Sequence, residues 1–340
     1  MDNISGYLLA LALVAVLLPS GLSGCSCGFD CNNDRNDNKP ATLSLGFSDE
    51  PLEDLKEVVI EVDRVTLQRT GEEDIVIDSF TISELSLVDA DSFQMDLLDY
   101  QGLNQLLVIE NLELTSGSYS HLLVDILGDD INLSYVQQSD DSLKPITVSG
   151  GQLSLPGFSL DTGEQAFTVE FSLAQALQYQ QSADNYLLTS TGVRVMDNDT
   201  AASLSGRVSS DLFDSVSPCD AKEDPESGNR IYLYSNGPVA EANLADVFTS
   251  SSSTEVPSGK RAPYAVASMA EDVLTGTWQY SVGFIAAGDY TLAFACDAGD
   301  DNPVDYDGIS IALPVDQVYQ ITLDAGERAI CDLEPDATCS

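Results

Sequence analysis

Few residues in this chain have the types needed for chemistry. Its 340 residues include one histidine, one tryptophan and seven cysteines, against 56 acidic and 13 basic side chains. The densest acidic stretch is "CDAGDDNPVDYDG", which sets Asp297, Asp300, Asp301, Asp305 and Asp307 among Asn, Gly and Pro. Calcium takes six to eight hard oxygens around a flexible loop, and Asp-rich turns can supply them. The spacing is not that of an EF-hand, so the stretch reads first as a solvated acidic loop, with calcium as the cation it could hold. Asp300 and Asp301 are adjacent, but adjacency means little in so acidic a chain. The single histidine, His121, lies in a strand-like run beside Tyr119 and Leu123 and reads as a packing or edge residue. One His excludes multi-His metal sites and leaves a Ser-His-Asp set without support. The chain also lacks a Gly-x-Ser-x-Gly elbow, a phosphate loop, a His-Glu-x-x-His motif and a dinucleotide fingerprint. No catalytic residue emerges.

Three of the cysteines, Cys25, Cys27 and Cys31, follow an uncharged apolar run, "YLLALALVAVLL", at residues 7–18. That run has the length of a signal-peptide h-region and falls short of the roughly 20 residues a spanning helix needs. Pro19, Ser20 and Gly21 break it, and Leu22-Ser23-Gly24-Cys25 follows. These four residues resemble the bacterial lipobox. Small residues at Ser23 and Gly24 admit the processing peptidase, and the Cys25 thiolate would take the diacylglycerol group. The expectation is therefore a lipid-anchored protein of the cell envelope. Ser26, by analogy with enterobacterial lipoproteins, points to the outer membrane, facing the periplasm or the exterior. The opening "MDNISGY" carries Asp2 and no basic residue, so the true start is expected upstream.

Removing Cys25 leaves Cys27, Cys31, Cys219, Cys296, Cys331 and Cys339. An even set in an exported chain reads as disulfides, although six cysteines allow 15 connectivities. The preferred set is local: Cys27–Cys31, Cys219–Cys296 and Cys331–Cys339. Zinc at "CSCGFDC" is disfavoured, because no histidine lies nearby and the spacing is not that of a zinc knuckle. No basic neighbour activates these thiols as nucleophiles.

The formal net charge of −43 sets the partners the chain can have. Such a surface repels nucleic-acid phosphates and anionic headgroups, which leaves the lipid anchor as the route to a membrane. Apolar residues make up 43% of the chain, enough to build real cores. Residues 25–40 form a polar tether ending in Pro40. From residue 41 the pattern is that of strands. "TLSLGF", "DIVID", "FQMDLL", "SHLLVDI" and "AFTVEF" all carry it. In "VVIEVDRVTLQR", Val58, Ile60 and Val62 share one face while Val65 and Leu67 take the other parity, which predicts a bulge near Asp63–Arg64. Only "SLAQALQY" (172–179) reads as a helix, with Ser172 as its cap.

"LSLGFSDEPLEDLKEVVIEVDRVTLQR" (43–69), "FQMDLLDYQG" (93–102), "LELTSGSYSHLLVDI" (112–126), "TVEFSLAQALQY" (168–179) and "GVRVMDND" (192–199) together resemble domain of unknown function 4382, a family of bacterial and archaeal lipoproteins. The resemblance covers about residues 40–199 and implies an exported β-domain with little chemistry. "MDNDTAASLSGRV" marks a boundary. Beyond it, "SLSGRV", "RIYLYS" and "TWQYSVGFIAAGDYTLAFACDA" resemble carboxypeptidase-regulatory-like or transthyretin-like sandwich domains.

Leu114-Thr115-Ser116-Gly117-Ser118-Tyr119 and Ile285-Ala286-Ala287-Gly288-Asp289-Tyr290 repeat one turn, with a glycine for φ > 0 and an inward tyrosine. Its hydroxyl could return to the turn as in a tyrosine corner. Strand parity puts Trp278, Tyr280 and Val282 on one inward face. The expected fold is all-β, with two tandem antiparallel sandwiches at 41–199 and 200–340. The expected role is a non-catalytic binding or structural module. The alternatives are a carbohydrate-binding or adhesive module, with calcium as its optional cofactor, and a carboxylate hydrolase.

Overall fold

Period-two burial runs through the strands of this chain, and it decides which side chains meet. The computed structural model describes residues 39–50, 55–247, 256–299, 301–302, 306–335 and 339. Leu22, Ser23, Gly24, Cys25, Cys27, Cys31, Asp300 and Asp305 lie outside the described residues. In the opening strand, Pro40–Asp49, Leu43, Leu45 and Phe47 are buried while Thr42 and Ser44 are only partly so. In Leu55–Gln68 the parity changes as expected: the register with Gly117–Leu127 slips between Val62 and Arg64, and Val65 and Leu67 return to the core.

The described chain is nearly all-β and forms four sheets. In the N-terminal half, a four-stranded sheet orders Val193–Asp197, Gly163–Phe171, Pro40–Asp49 and Leu106–Thr115. It faces a nine-stranded sheet built around Leu55–Gln68 and Gly117–Leu127. One core, drawn from residues 41–193, fills the space between them. In the C-terminal half, two four-stranded sheets enclose a second core drawn from residues 202–333. One sheet orders Ala270–Asp272, Thr277–Ile285, Ala202–Val208 and Arg328–Ile330; the other orders Ala265–Ser268, Arg230–Ser235, Gly288–Ala295 and Val318–Leu323. Most pairs are antiparallel. Three run parallel: Pro40–Asp49 with Gly163–Phe171, Leu143–Val148 with Asn185–Leu188, and Ala202–Val208 with Arg328–Ile330. Parallel neighbours are joined by long crossovers, which alternation along one strand does not reveal.

The expected helix shrinks to a single turn, Leu173–Ala176, and Leu177–Gln180 leaves it as a strand paired with Asn185–Leu188. Eight residues are marginal for a helix, and burying Leu177 opposite Leu188 in the sheet wins. Ser172 takes the cap position but makes no capping bond. Both tyrosine corners form. The Tyr119 hydroxyl donates to the Thr115 carbonyl at 2.8 Å, and Tyr290 to the Ala286 carbonyl at 2.7 Å. Trp278 is partly buried against the second core and meets the Phe213 ring edge-on, with Tyr280 and Val282 buried beyond it. The disulfides Cys219–Cys296 and Cys331–Cys339 both form, with Cα–Cα separations of 5.7 and 4.9 Å.

Two features place the site described next. First, the strand Arg230–Ser235 is buried on both faces. Ile231 and Leu233 face the second core, while Tyr232 and Tyr234 face a third apolar cluster with Val239, Leu244, Ala298 and Ile311. Residues 239–247 and the described residues among 298–311 therefore form an extra layer over the outer face of this sheet. Second, residues 36–340 belong to one unit, and the two halves meet at a close seam. A Cβ on Gly283 would lie 1.8 Å from the Gly102 carbonyl oxygen, so only glycine fits there. Gln175 Nε2 donates to the Tyr264 carbonyl at 3.1 Å across the same seam.

Candidate functional site

Asp246, Asp301 and Asp307 converge in the loop layer over the C-terminal sandwich, each contributing a carboxylate oxygen, with the three oxygens within 4.8 Å of one another. Asp246 is 1% exposed, and the Asp301 side chain is likewise 1% exposed, while Asp307 is exposed. The Gly308 and Ile309 amides donate to Asp246 Oδ2 at 2.7 and 2.9 Å, which ties the two loops together. The Tyr232 hydroxyl donates to Asp301 Oδ2 at 2.6 Å, and Arg230 Nη1 lies 3.7 Å from the same oxygen. The second oxygens, Asp246 Oδ1 and Asp301 Oδ1, are buried without a hydrogen-bond partner. Burial pushes the Asp301 carboxyl up to about 6, against the pull of Tyr232 and Arg230 and with the push of Asp246 and Asp307. Burial also raises Asp246, helped by the Asp307 carboxyl and opposed by the Gly308 and Ile309 amides. Three acids gathered this way can hold a hard cation or share protons.

Of the five acids singled out in the sequence, Asp301 and Asp307 enter this group. Asp297 is exposed and stands outside it. Asp246 carried no signal, because it lies four strands upstream on another loop.

A second carboxylate cluster lies at the seam. Ser48, Glu170 and Arg194 form one row across three paired strands. Arg194 ion-pairs with Glu50, and its guanidinium sits 4.9 Å from the centre of the Tyr264 ring in the other half. Asp49, Glu50 and Glu170 are all buried. Among the described residues, no donor meets the oxygens of Asp49 or Glu170 at full hydrogen-bond geometry; the Leu173 and Glu50 amides and Ser48 stand near them. Burial drives Asp49 well above the usual carboxylate range, with Glu170 and Glu50 adding to it and the Leu173 and Glu50 amides opposing. Burial does the same to Glu170, opposed by Arg194 and reinforced by Glu50. Burial works against the Arg194 charge, but Glu50, Tyr264 and Glu170 outweigh it and push its pKa up. These residues come from stretches that carry the family resemblance, yet alternation alone did not single them out, since each reads as an ordinary strand-end charge.

The other candidates stay apart. His121 is exposed in mid-sheet, paired with Gln68 and Pro156, and so is neither a packing nor an edge residue. Cys219, Cys296, Cys331 and Cys339 are bound in disulfides and offer no thiol. Among the described residues, the large exposed side chains include one aromatic, Tyr179, and no aromatic strip of the kind a sugar would stack on.

Residues 40–190 match the family model described as Domain of unknown function (DUF4382). No curated protein matches the sequence. Among solved structures, a leucine-rich repeat protein from Bacteroides thetaiotaomicron aligns at 11% identity with a TM-score of 0.18, covering 88% of this chain and 26% of that one. The Bacillus anthracis TIE protein aligns at 12% and 0.16, covering 86% and 33%. A candidate cell adhesion protein of Bacteroides fragilis aligns at 7% and 0.22, covering 88% and 93%. The chain thus spans about a quarter of the length of the first and a third of the second. At these TM-scores none of the three establishes a shared architecture.

Proposed function

We propose that this chain is a lipid-anchored, exported module of the bacterial cell envelope that binds or scaffolds without catalysing a reaction. The observation that carries this reading is the pair of disulfides, Cys219–Cys296 and Cys331–Cys339, set in the C-terminal half. Such bonds persist in oxidising compartments outside the cytosol. They agree with the Leu22-Ser23-Gly24-Cys25 motif behind its apolar run, which would place the lipid on Cys25. Residues 25–40 act as the tether, and 41–199 and 200–340 as two sandwich domains, the second of transthyretin-like type. The absence of a free thiol at the four bonded cysteines and the isolation of His121 favour binding over catalysis.

The test is expression of the full chain in a bacterial host, followed by fractionation and mass analysis of the N-terminal peptide. The expected result is a mature chain beginning at acylated Cys25 in the membrane fraction, with Cys25→Ser leaving it unacylated. A parent chain that stays unmodified in the cytosol would overturn the reading.

A further inference from the structure

We propose that Asp246, Asp301 and Asp307 form a calcium site that fastens together the two loops covering the outer face of the sheet containing Arg230–Ser235 and Gly288–Ala295. This site does not depend on the lipid anchor or on the envelope reading, and it can fail without affecting either.

The geometry meets the first requirement of a chelate. Two oxygens each about 2.4 Å from one cation can be at most about 4.8 Å apart, twice the calcium–oxygen distance. The oxygens contributed by these three acids satisfy that limit. The second argument is the state of the buried oxygens. Among the described residues, Asp246 Oδ1 and Asp301 Oδ1 are shielded from solvent and have no donor at hydrogen-bond geometry, an expensive arrangement for carboxylate oxygens. In each acid the other oxygen is already engaged, by the Gly308 and Ile309 amides or by Tyr232. Those bonds hold the carboxylates in place and leave their free oxygens for a ligand.

The third argument is charge. Among the described residues, the three carboxylates meet one nearby guanidinium, Arg230, at 3.7 Å from Asp301. Lys260 is turned to the Leu244 carbonyl at 2.6 Å and to the Tyr306 ring. A divalent cation would bring the group close to neutrality. The donors are all hard oxygens on loops, which suits calcium. Zinc favours nitrogen and sulfur, and magnesium demands near-octahedral geometry and keeps its water.

Occupation has a structural consequence. Asp246 belongs to the loop bearing Leu244, and Asp301 and Asp307 to the loop bearing Ala298 and Ile311, and these apolar side chains cover Tyr232 and Tyr234. The ion would close that layer from its polar edge.

The full chain, stripped with a chelator and held at physiological salt, is titrated with terbium and then with calcium. Tyr232 lies against Asp301 and would sensitise terbium luminescence. The expected result is a luminescent signal displaced by calcium at sub-millimolar to millimolar levels, with a rise of several degrees in Tm. Asp246→Asn and Asp307→Asn should each weaken calcium at least about tenfold. Asp307 is exposed, so its variant keeps the fold testable. Asp297→Asn should change nothing. A parent with no displaceable signal and no shift in Tm would overturn the site. So would signals retained in both Asp246→Asn and Asp307→Asn, or magnesium shifting Tm as far as calcium does.

Discussion

The two carboxylate clusters place the same kind of side chain in different circumstances. At the seam, Glu50 and Glu170 flank Arg194, which ion-pairs with Glu50 and stacks on Tyr264 from the other half, and Asp49 adds a further buried acid beside Glu50 and Glu170. In the loop layer, the one cation near Asp246, Asp301 and Asp307 among the described residues is Arg230, at their margin and 3.7 Å from Asp301. The first cluster rests on regular strands, where Glu170 and Arg194 are cross-strand partners. The second hangs on loops. A cluster on paired strands, with its cation built in, serves the seam between the halves. A cluster on loops without one is arranged to take its cation from solution.

That contrast can be broken most directly at the two arginines. Arg194→Met would leave buried Glu50 and Glu170 without their cation and is expected to cost about 3–5 kcal/mol in urea unfolding. Arg230→Met should cost clearly less, because Tyr232 still donates to Asp301. Equal losses would erase the difference between the clusters.

Acidity gives the next largest effect. Asp49 and Glu170 both have pKa values raised in the folded state, so between their unfolded values, near 4, and the folded ones the native chain binds more protons than the unfolded chain. Their contribution to stability is complete below about pH 4 and is lost as pH rises through the folded values, at up to about 1.4 kcal/mol per pH unit for each group. Comparing parent and Asp49→Asn/Glu170→Gln unfolding across pH 4–8 should show the parent losing stability relative to the variant. A difference that stays flat, or that grows in the parent's favour as pH rises, would remove the seam cluster's carboxylates from the account.

The smallest effect concerns what the halves share. Tyr119→Phe and Tyr290→Phe each remove one hydroxyl bond to a carbonyl four residues back, and each should cost about 1 kcal/mol by thermal unfolding. Similar costs would show that the halves use one local device and differ in where they bury charge. A loss in only one would mean that the corners are not equivalent.

Much of this was legible in the residues. Strand positions, the slip at Asp63–Arg64, the two tyrosine corners and the inward face of Trp278 follow from side-chain alternation and from glycine at a turn, both properties of a few neighbouring residues. The pairings Cys219–Cys296 and Cys331–Cys339 were also within reach, because they join the cysteines of the second half in order. The helix expected at 172–179 shortens to one turn, since its apolar spacing suits a helix but Leu177 is buried better in a sheet.

What the amino-acid sequence determined by itself is the β-character of the chain, the two repeated corners and its strong acidity. Only the tertiary structure decided which acids stand together. Asp246 joins Asp301 and Asp307 because two distant loops cross the same sheet face, and Glu170 meets Arg194 because strands remote in sequence are neighbours in one sheet. Alternation along a strand fixes the face a side chain takes. The order of strands in the sheet fixes its neighbours, and that order comes from long-range packing of the cores.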